Sequence, residues 1–206
     1  MYKKLKTGRF QDIRKMTNVL CLLIAAATLF MGIFAPDLVR IMATEAYGEA
    51  VWIIPPAAVS VFFVFMYMVF ANVEMYFGRN TGILVISIIC SAANLILNAI
   101  CIPVWGYMAA GWTTLICYML LTLLHYLLMK RACRWHQVQE NIFSEKILLL
   151  IALGVLILSL AMLGMYRLHY FRYMVLVLEA VVLFGFRRKL LRALKQIRKG
   201  EEKNGE

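Results

Sequence analysis

The fold is decided by long uncharged runs, of which GILVISIICSAANLILNAICIP, at Gly82–Pro103, is one. This run is longer than the roughly 20 apolar residues that a helix needs to cross a bilayer. Only helices and closed barrels satisfy their backbone hydrogen bonds in lipid, so the run predicts a transmembrane helix. Five further runs, uncharged apart from Glu74 and Glu179, predict spans of the same kind: Thr17–Ala35, Val51–Phe77, Gly106–Met129, Ile147–Tyr166 and Tyr173–Phe186.

The composition of the 206 residues supports this interpretation. The chain is 63% hydrophobic and 16% charged, with a mean hydropathy of +0.78. Soluble domains are roughly 45–50% apolar and about 25% charged, so both a cytosolic enzyme and a secreted disulfide scaffold are excluded. The predicted fold class is an all-α, polytopic membrane protein with about six transmembrane helices.

No catalytic, metal or cofactor motif is found in the sequence. The five cysteines form no Cys-x-x-Cys pair and show no metal-ligand spacing with the three histidines. Ser/His/Asp groupings and glycine-rich phosphate loops are also missing. We therefore expect no enzyme activity, no cofactor and no metal, and we interpret the histidines His125, His136 and His169 as interfacial or loop residues.

The orientation follows from the distribution of Lys and Arg, because positively charged loops stay in the cytoplasm. Placing both termini inside leaves only Arg40, Arg167 and Arg172 of the 22 cationic residues on the outer side. The net charge of +11 is then explained by topology, and no nucleic-acid partner is expected. The predicted segments are a basic cytoplasmic N-terminal segment at 1–16, a four-helix region at 17–129, a cytoplasmic loop at 130–146, a terminal transmembrane hairpin at 147–186 and a basic cytoplasmic tail at 187–206.

The basic tail has a second predicted role at the membrane surface. Its apolar residues Leu190, Leu194 and Ile197 recur at helical spacing among cations. An amphipathic helix of this kind lies on anionic headgroups. The predicted surface residues are Arg187, Arg188, Lys189 and Arg192.

Polar residues form an organised stripe on the third predicted span. They follow steps of about three to four residues, which places them on one helical face: Ser87, Ser91, Asn94, Asn98 and Cys101. The fourth span offers a matching series of small residues, which predicts a close hairpin: Gly106, Ala110, Thr113 and Cys117. The predicted helix-packing residues are Gly106, Ala110 and Gly111. Two interpretations of Asn94, Asn98 and Ser91 stay open, since these side chains either line a cavity or bond to neighbouring helices.

Two carboxylates lie within predicted spans, where ionisable groups are costly and are functional candidates by default. Glu74 lies about one turn from Arg79 and is either a proton- or ion-coupling residue of the substrate path or an interfacial partner of Arg79. Glu179 lies near the middle of the sixth span and is either a second candidate for proton or ion coupling or the partner of a polar residue on another helix.

Prolines and a glycine interrupt the first two spans near their outer ends. Pro55 and Pro56 begin the second span, while Gly32 and Pro36 end the first. Such residues bend helices, either as static kinks or as hinges of the kind that transporters use.

An ordered set of motifs resembles the C-terminal half of bacterial polysaccharide flippases, the lipid-linked oligosaccharide exporters of the multidrug/oligosaccharidyl-lipid/polysaccharide superfamily. The match runs from about Met16 to Lys130 and depends on order and spacing. The most specific part is an N-x-x-x-N helix, Asn94 to Asn98, followed by I-P-x-x-G-x-x-A-A-G from Ile102 to Gly111. The other pieces are FAPDLVRI from Phe34, YGEA from Tyr47 and IPP from Ile54.

The resemblance implies a function and a site. Members of this family carry undecaprenyl-pyrophosphate-linked sugars to the outer leaflet of the bacterial plasma membrane, by alternating access between two six-helix lobes. Asn94 and Asn98 match the family's paired asparagines, and Glu74 matches a frequent acidic position. The last two spans resemble the extra hairpin of fourteen-helix members, which in lipid II flippases contributes a groove for the lipid tail.

The resemblance also implies that this chain corresponds to a partial lobe. It begins where a full member reaches about its ninth helix, so we expect an N-terminal lobe from the same gene or a partner chain, and no transport by this part alone. Two other functions are weighed beside it. One is a membrane scaffold or assembly subunit that binds partner helices, and the other is half of a multidrug antiporter.

Overall fold

The described part of the chain is entirely helical. The computed structural model describes residues 1–42, 45–138, 140–166, 172–181 and 184–185. Five of its helices are long and apolar enough to cross a membrane. The elements are α1 (Tyr2–Lys6), α2 (Phe10–Met42), a 3₁₀ segment (Glu45–Trp52), α3 (Ile54–Tyr76), α4 (Asn80–Trp105), α5 (Ala109–Trp135) and α6 (Glu145–Met165).

The structure confirms an all-α fold with five helices that are long and apolar enough to cross a membrane, which suggests a multi-pass membrane protein. A sixth crossing stays a prediction. Residues 172–181 and 184–185 are helical, but the rest of Tyr173–Phe186 lies outside the described residues, as does the whole basic tail at 187–206. Arg187, Arg188, Lys189 and Arg192 are therefore not placed, and neither is His169.

Several helix boundaries differ from those predicted by charge. α5 starts after Gly106 and continues past Met129 to Trp135, so the first part of the predicted loop 130–146 is helical. α2 begins at Phe10, inside the predicted N-terminal segment. The reason is that a helix does not stop where charge begins, since Lys and Arg are good helix formers and their charges extend into the interface.

Consecutive long helices run antiparallel. Each end of the bundle therefore holds the N-termini of some helices and the C-termini of their neighbours. At one end, which we call the basic end, Phe77 stacks on His136 with ring centroids 4.5 Å apart, and Arg14 bonds to the carbonyl of Asn141. At the opposite end Arg172 pairs with Asp37 at 3.0 Å. The basic end also holds most of the described cations: Lys3, Lys4, Lys6, Arg9, Arg14, Lys15, Arg79, Lys130, Arg131, Arg134 and Lys146.

α3 lies at the centre of the bundle and α4 lies at its edge. The core around α3 is built from large apolar side chains, and α2, α5 and α6 all contribute to it: Ile13, Cys21, Phe62, Phe63, Met66, Phe70, Val73, Leu115, Leu148 and Val155. α4, by contrast, has a single buried residue, Cys90. One face of α4 is therefore without a protein neighbour among the described residues.

The prolines of the second predicted span do not bend it. Pro55 and Pro56 lie in the first turn of α3 and are both buried. The N–H groups of a first helical turn have no intrahelical acceptor, so proline costs nothing there and its fixed φ favours helix initiation. The hinge interpretation of this pair is therefore wrong, and the pair starts the helix.

Pro36, in contrast, lies inside α2, which continues through it to Met42. A proline has no N–H to donate to the carbonyl four residues earlier, here that of Gly32. The hydroxyl of Tyr166, just after α6, donates to that same carbonyl. The side chain replaces the missing backbone donor, so the helix passes the proline without an unsatisfied carbonyl in an apolar environment.

Candidate functional site

The most buried polar contact lies between α3 and α5, close to the basic end. Glu74 is in the last turn of α3, and His125 is in the second half of α5. Both side chains are 0% exposed, and Nδ1 of His125 lies 3.0 and 3.1 Å from the two carboxylate oxygens of Glu74. A buried carboxylate in contact with an imidazole is an arrangement that can hold and release a proton.

This pair corrects two expectations. His125 is not an interfacial or loop residue, because it is enclosed in the bundle. Arg79 is not the partner of the Glu74 side chain, since the Arg79 guanidinium lies over the ring of Trp135, with its carbon 3.9 Å from the ring centroid. The sequence signal for this pair is a glutamate on the second predicted span and a histidine on the fourth, because each needs a polar partner in hydrocarbon. His136 is exposed and follows α5, as expected of a loop residue.

The surroundings of His125 hold its ring in one orientation. The ring of Tyr67, two turns before Glu74 on α3, stacks on the imidazole with centroids 5.4 Å apart. One turn before His125, the hydroxyl of Thr122 donates to the carbonyl of Phe63 at 3.0 Å. The Nε2 atom of His125 is buried and has no hydrogen-bond partner among the described residues. Only one nitrogen of the ring is therefore engaged.

A second polar cluster joins α4 to α5. Asn98 donates to Oδ1 of Asn94 at 3.1 Å and accepts a hydrogen bond from the hydroxyl of Thr113. Asn94 and Asn98 are half-buried and lie on the side of α4 that faces α5, whereas Ser91 is exposed. The structure thus brings both asparagines together with Thr113 and leaves Ser91 on the open side of α4.

The predicted series of small packing residues is divided among three environments. Gly106 is in the turn between α4 and α5 with φ of +73°, a conformation that favours glycine, and a Cβ there would have no contact within 4 Å. It is therefore not a helix-packing residue. Ala110 is half-buried in the first turn of α5. Gly111 faces α3 and not α4, and a Cβ there would lie 3.0 Å from Cγ2 of Ile53.

Glu179 lies on the helical residues 172–181 and is half-buried. Both of its carboxylate oxygens are enclosed, and neither has a hydrogen-bond partner in the described part of the chain. No described contact joins Glu179 to the Glu74–His125 pair. The two carboxylates predicted to take part in coupling are thus in different settings, one paired and one without a partner.

A groove runs between α5 and α6, with α3 as its floor. Its volume is about 570 Å³, and its walls are almost wholly apolar. Lys146 and Glu145 lie at its basic end, where Glu145 accepts a hydrogen bond from Lys130 at 2.7 Å. The apolar lining consists of Phe63, Met66, Phe70, Met119, Leu120, Leu123, Phe143, Leu148, Leu149 and Ala152. Such a groove suits a hydrocarbon chain.

In the described ranges, no three His, Cys, Asp or Glu side chains come together as a possible metal site. Comparison of the chain with family models, with curated proteins and with solved structures found no match.

Proposed function

We propose that this chain is the C-terminal part of a flippase for undecaprenyl-pyrophosphate-linked oligosaccharide in a bacterial plasma membrane. It works with an N-terminal lobe, supplied by the same gene or by a partner chain, and is inactive without it. Its role is transport for polysaccharide export, not catalysis. The ordered motifs from Phe34 to Gly111 support the family, and the polar cluster on α4 supports the transport role.

The observation that carries the proposal is the incomplete cover of α4. Asn94 and Asn98 are half-buried, and Ser91 is exposed, on a helix with one buried residue. Polar side chains at membrane depth face a bundle interior or a water-filled cavity, because lipid cannot satisfy them. A second lobe across α4 would enclose the exposed Ser91 and the exposed parts of Asn94 and Asn98 on a polar path for the glycan. The buried Glu74–His125 pair would lie behind this path as the coupling site.

The groove between α5 and α6 supports a lipid-linked substrate. A glycan headgroup needs a polar path, whereas its polyprenyl chain needs apolar surface. The groove provides about 570 Å³ lined by apolar side chains from three helices. The chain offers both kinds of surface within one bundle.

The test is genetic and biochemical. Deletion of the gene should trap lipid-linked oligosaccharide in the inner leaflet and abolish the surface polysaccharide. Complementation with Asn94→Leu plus Asn98→Leu should restore little export, while the matched control Leu95→Ile plus Leu97→Ile on the same helix should restore it. Unchanged surface polysaccharide after deletion would show that the flippase proposal is wrong.

A membrane scaffold or assembly subunit is the second candidate. The observation that favours it is the apolar face of α4, which is free to bind another helix: Leu84, Val85, Ile88, Ile89, Leu95, Ile96 and Ile100 are all exposed. Under this function the protein would co-purify with a stable partner, and its deletion would leave lipid-linked oligosaccharide distribution unchanged. Half of a multidrug antiporter would instead make the deletion strain sensitive to cationic drugs.

A further inference from the structure

Two arginines at the basic end stack on one tryptophan. Arg79 immediately precedes α4, and Arg131 and Trp135 are in the last turns of α5. The guanidinium carbons lie 3.9 Å and 4.6 Å from the centroid of the Trp135 ring. Two cations from different segments therefore contact one aromatic side chain.

Neither arginine is neutralised by the described protein. The carboxylates at this end have other side-chain partners: Asp12 pairs with Arg9, Glu74 with His125, Glu140 with Arg14 and Glu145 with Lys130. No described salt bridge reaches Arg79 or Arg131. The pair is thus a local concentration of positive charge with no internal counter-ion in the described ranges.

The donors of this pair are positioned for an external acceptor. A guanidinium that stacks flat on an aromatic ring keeps its N–H groups at its edge, where they can bind an oxyanion. Nε of Arg79 is enclosed and has no acceptor in the described part of the chain. A guanidinium that is partly desolvated and unpaired favours a nearby oxyanion, which its remaining N–H groups can bind.

An apolar stripe on α5 leads directly to the pair. Ile116, Leu120, Leu123 and Leu127 are exposed and follow helical spacing toward Arg131 and Trp135. Tryptophan prefers the interface between hydrocarbon and headgroups. A molecule with an oxyanion at one end and hydrocarbon at the other can contact both the arginines and the apolar stripe. A free anion can contact only the arginines.

We propose that Arg79, Arg131 and Trp135 bind the phosphate of an anionic phospholipid headgroup, whose acyl chains lie along the apolar stripe of α5. The site lies apart from the polar path proposed on α4, although Leu120 and Leu123 of its apolar stripe also line the groove between α5 and α6. It requires only that α5 crosses a bilayer, so it can hold or fail independently of flippase activity.

Native mass spectrometry of the purified full chain, released from detergent micelles, tests the site. The probes are phosphatidylglycerol, phosphatidylcholine and inorganic phosphate, each titrated separately. We expect phosphatidylglycerol to bind more tightly than phosphatidylcholine, and inorganic phosphate alone to bind weakly. Arg79→Gln and Arg131→Gln should each weaken phosphatidylglycerol binding about fivefold, as expected for one surface cation facing an anionic lipid.

The matched control is Arg134→Gln. Arg134 is exposed in the same last turn of α5 and has no described stacking contact with an aromatic ring, so its loss should leave the binding unchanged. Arg79→Lys keeps the positive charge but replaces the planar guanidinium with an ammonium group, and it should also weaken binding. This variant separates the effect of geometry from the effect of charge. Equal losses in Arg134→Gln and Arg79→Gln would overturn the site, and so would binding of inorganic phosphate as tight as that of the lipid. Gel-filtration profiles of all variants establish that they are folded.

Discussion

At the scale of the residue, Glu74 and His125 depend on each other. Each is fully buried, and the other is its nearest described polar partner. Glu74→Leu or His125→Leu alone leaves one buried polar group without its partner, so each should lower the free energy of unfolding by about 3 kcal/mol. The double variant should lose less than the sum of the two single variants, because it leaves neither group behind.

Unfolding of the detergent-solubilised protein in SDS, followed by circular dichroism, measures this coupling. The control is Met68→Leu, an exposed apolar position on α3 that lies away from the pair. Strictly additive losses from the two single variants would contradict a direct interaction between the side chains.

The effect of replacing a glycine with alanine also depends on what surrounds that glycine in the bundle. At Gly111 a Cβ would lie 3.0 Å from Cγ2 of Ile53 and 3.3 Å from its backbone oxygen, whereas nothing lies within 4 Å at Gly154. Gly154→Ala should therefore stabilise the protein by up to about 1 kcal/mol through helix propensity. Gly111→Ala gains the same propensity but should lower the thermal midpoint, because the backbone of Ile53 must move. A rise in both midpoints would contradict the close α3–α5 contact at this end.

The residues of the site differ in how far the sequence alone predicts their role. The intramembrane carboxylates and the Asn94–Asn98 spacing were visible, because polar residues stand out in apolar runs. The pairing of Glu74 with His125 did not follow from the sequence, which offers a nearer cation, Arg79, and does not show that Arg79 stacks on Trp135. Gly106 was misassigned because a stripe of small residues does not show where its helix begins.

At the scale of the element, α2 illustrates how one helix depends on another. Pro36 leaves the carbonyl of Gly32 without its backbone donor, and Tyr166 supplies one. Tyr166→Phe should cost about 1 kcal/mol, the net value of one hydrogen bond. In a Pro36→Ala background the backbone N–H returns, so the same Tyr166→Phe change should cost close to nothing.

This double-mutant cycle is measured by SDS unfolding of the four proteins. The tyrosine hydroxyl is protonated throughout the neutral range, so it can donate to the carbonyl under the conditions of the measurement. An equal cost of Tyr166→Phe in both backgrounds would show that the hydroxyl does not compensate for the proline.

The helices themselves were largely predictable, while their ends were not. Uncharged runs located all five long helices, because the cost of charge in hydrocarbon limits where a span can lie. Pro55, Pro56 and Pro36 could not be assigned from the sequence. A proline starts a helix or interrupts one according to the hydrogen bonds around it, and those depend on packing.

At the scale of the whole molecule, the alternating directions of the helices separate two ends of different charge. The basic end holds most of the described cations, and Asp37, Arg40 and Arg172 lie at the other end. The excess of Lys and Arg on cytoplasmic segments predicts that the basic end is cytoplasmic. The exposed Gln11 then lies inside the cell, and the exposed Tyr107, between α4 and α5, lies outside.

Cysteine labelling with a membrane-impermeant maleimide checks this orientation. Tyr107→Cys should be labelled in intact cells, and Gln11→Cys only after permeabilisation. Glu206→Cys should behave like Gln11→Cys when the sixth predicted span crosses, and its labelling in intact cells would contradict that crossing. The native cysteines among the described residues are buried or half-buried, so the parent protein provides the background.

Apolar runs located the five long helices of the described residues but not their arrangement. α3 and α4 are about equally apolar, so hydropathy does not distinguish the central helix from the peripheral one. Their difference comes from which neighbours pack against them, which is a property of the assembled bundle.

The bond from Tyr166 to Gly32 sets an order of events during synthesis. The donor is made 134 residues after the acceptor, an interval on the order of ten seconds at ordinary elongation rates of roughly 5–20 residues per second. α2 must enter the bilayer, or wait at the insertion machinery, with the carbonyl beside Pro36 unsatisfied for that time. A ribosome stalled before residue 166 would therefore hold a nascent chain in which the Gly32 carbonyl of α2 still lacks its donor. In that chain α2 should be more accessible to proteases than in the finished protein.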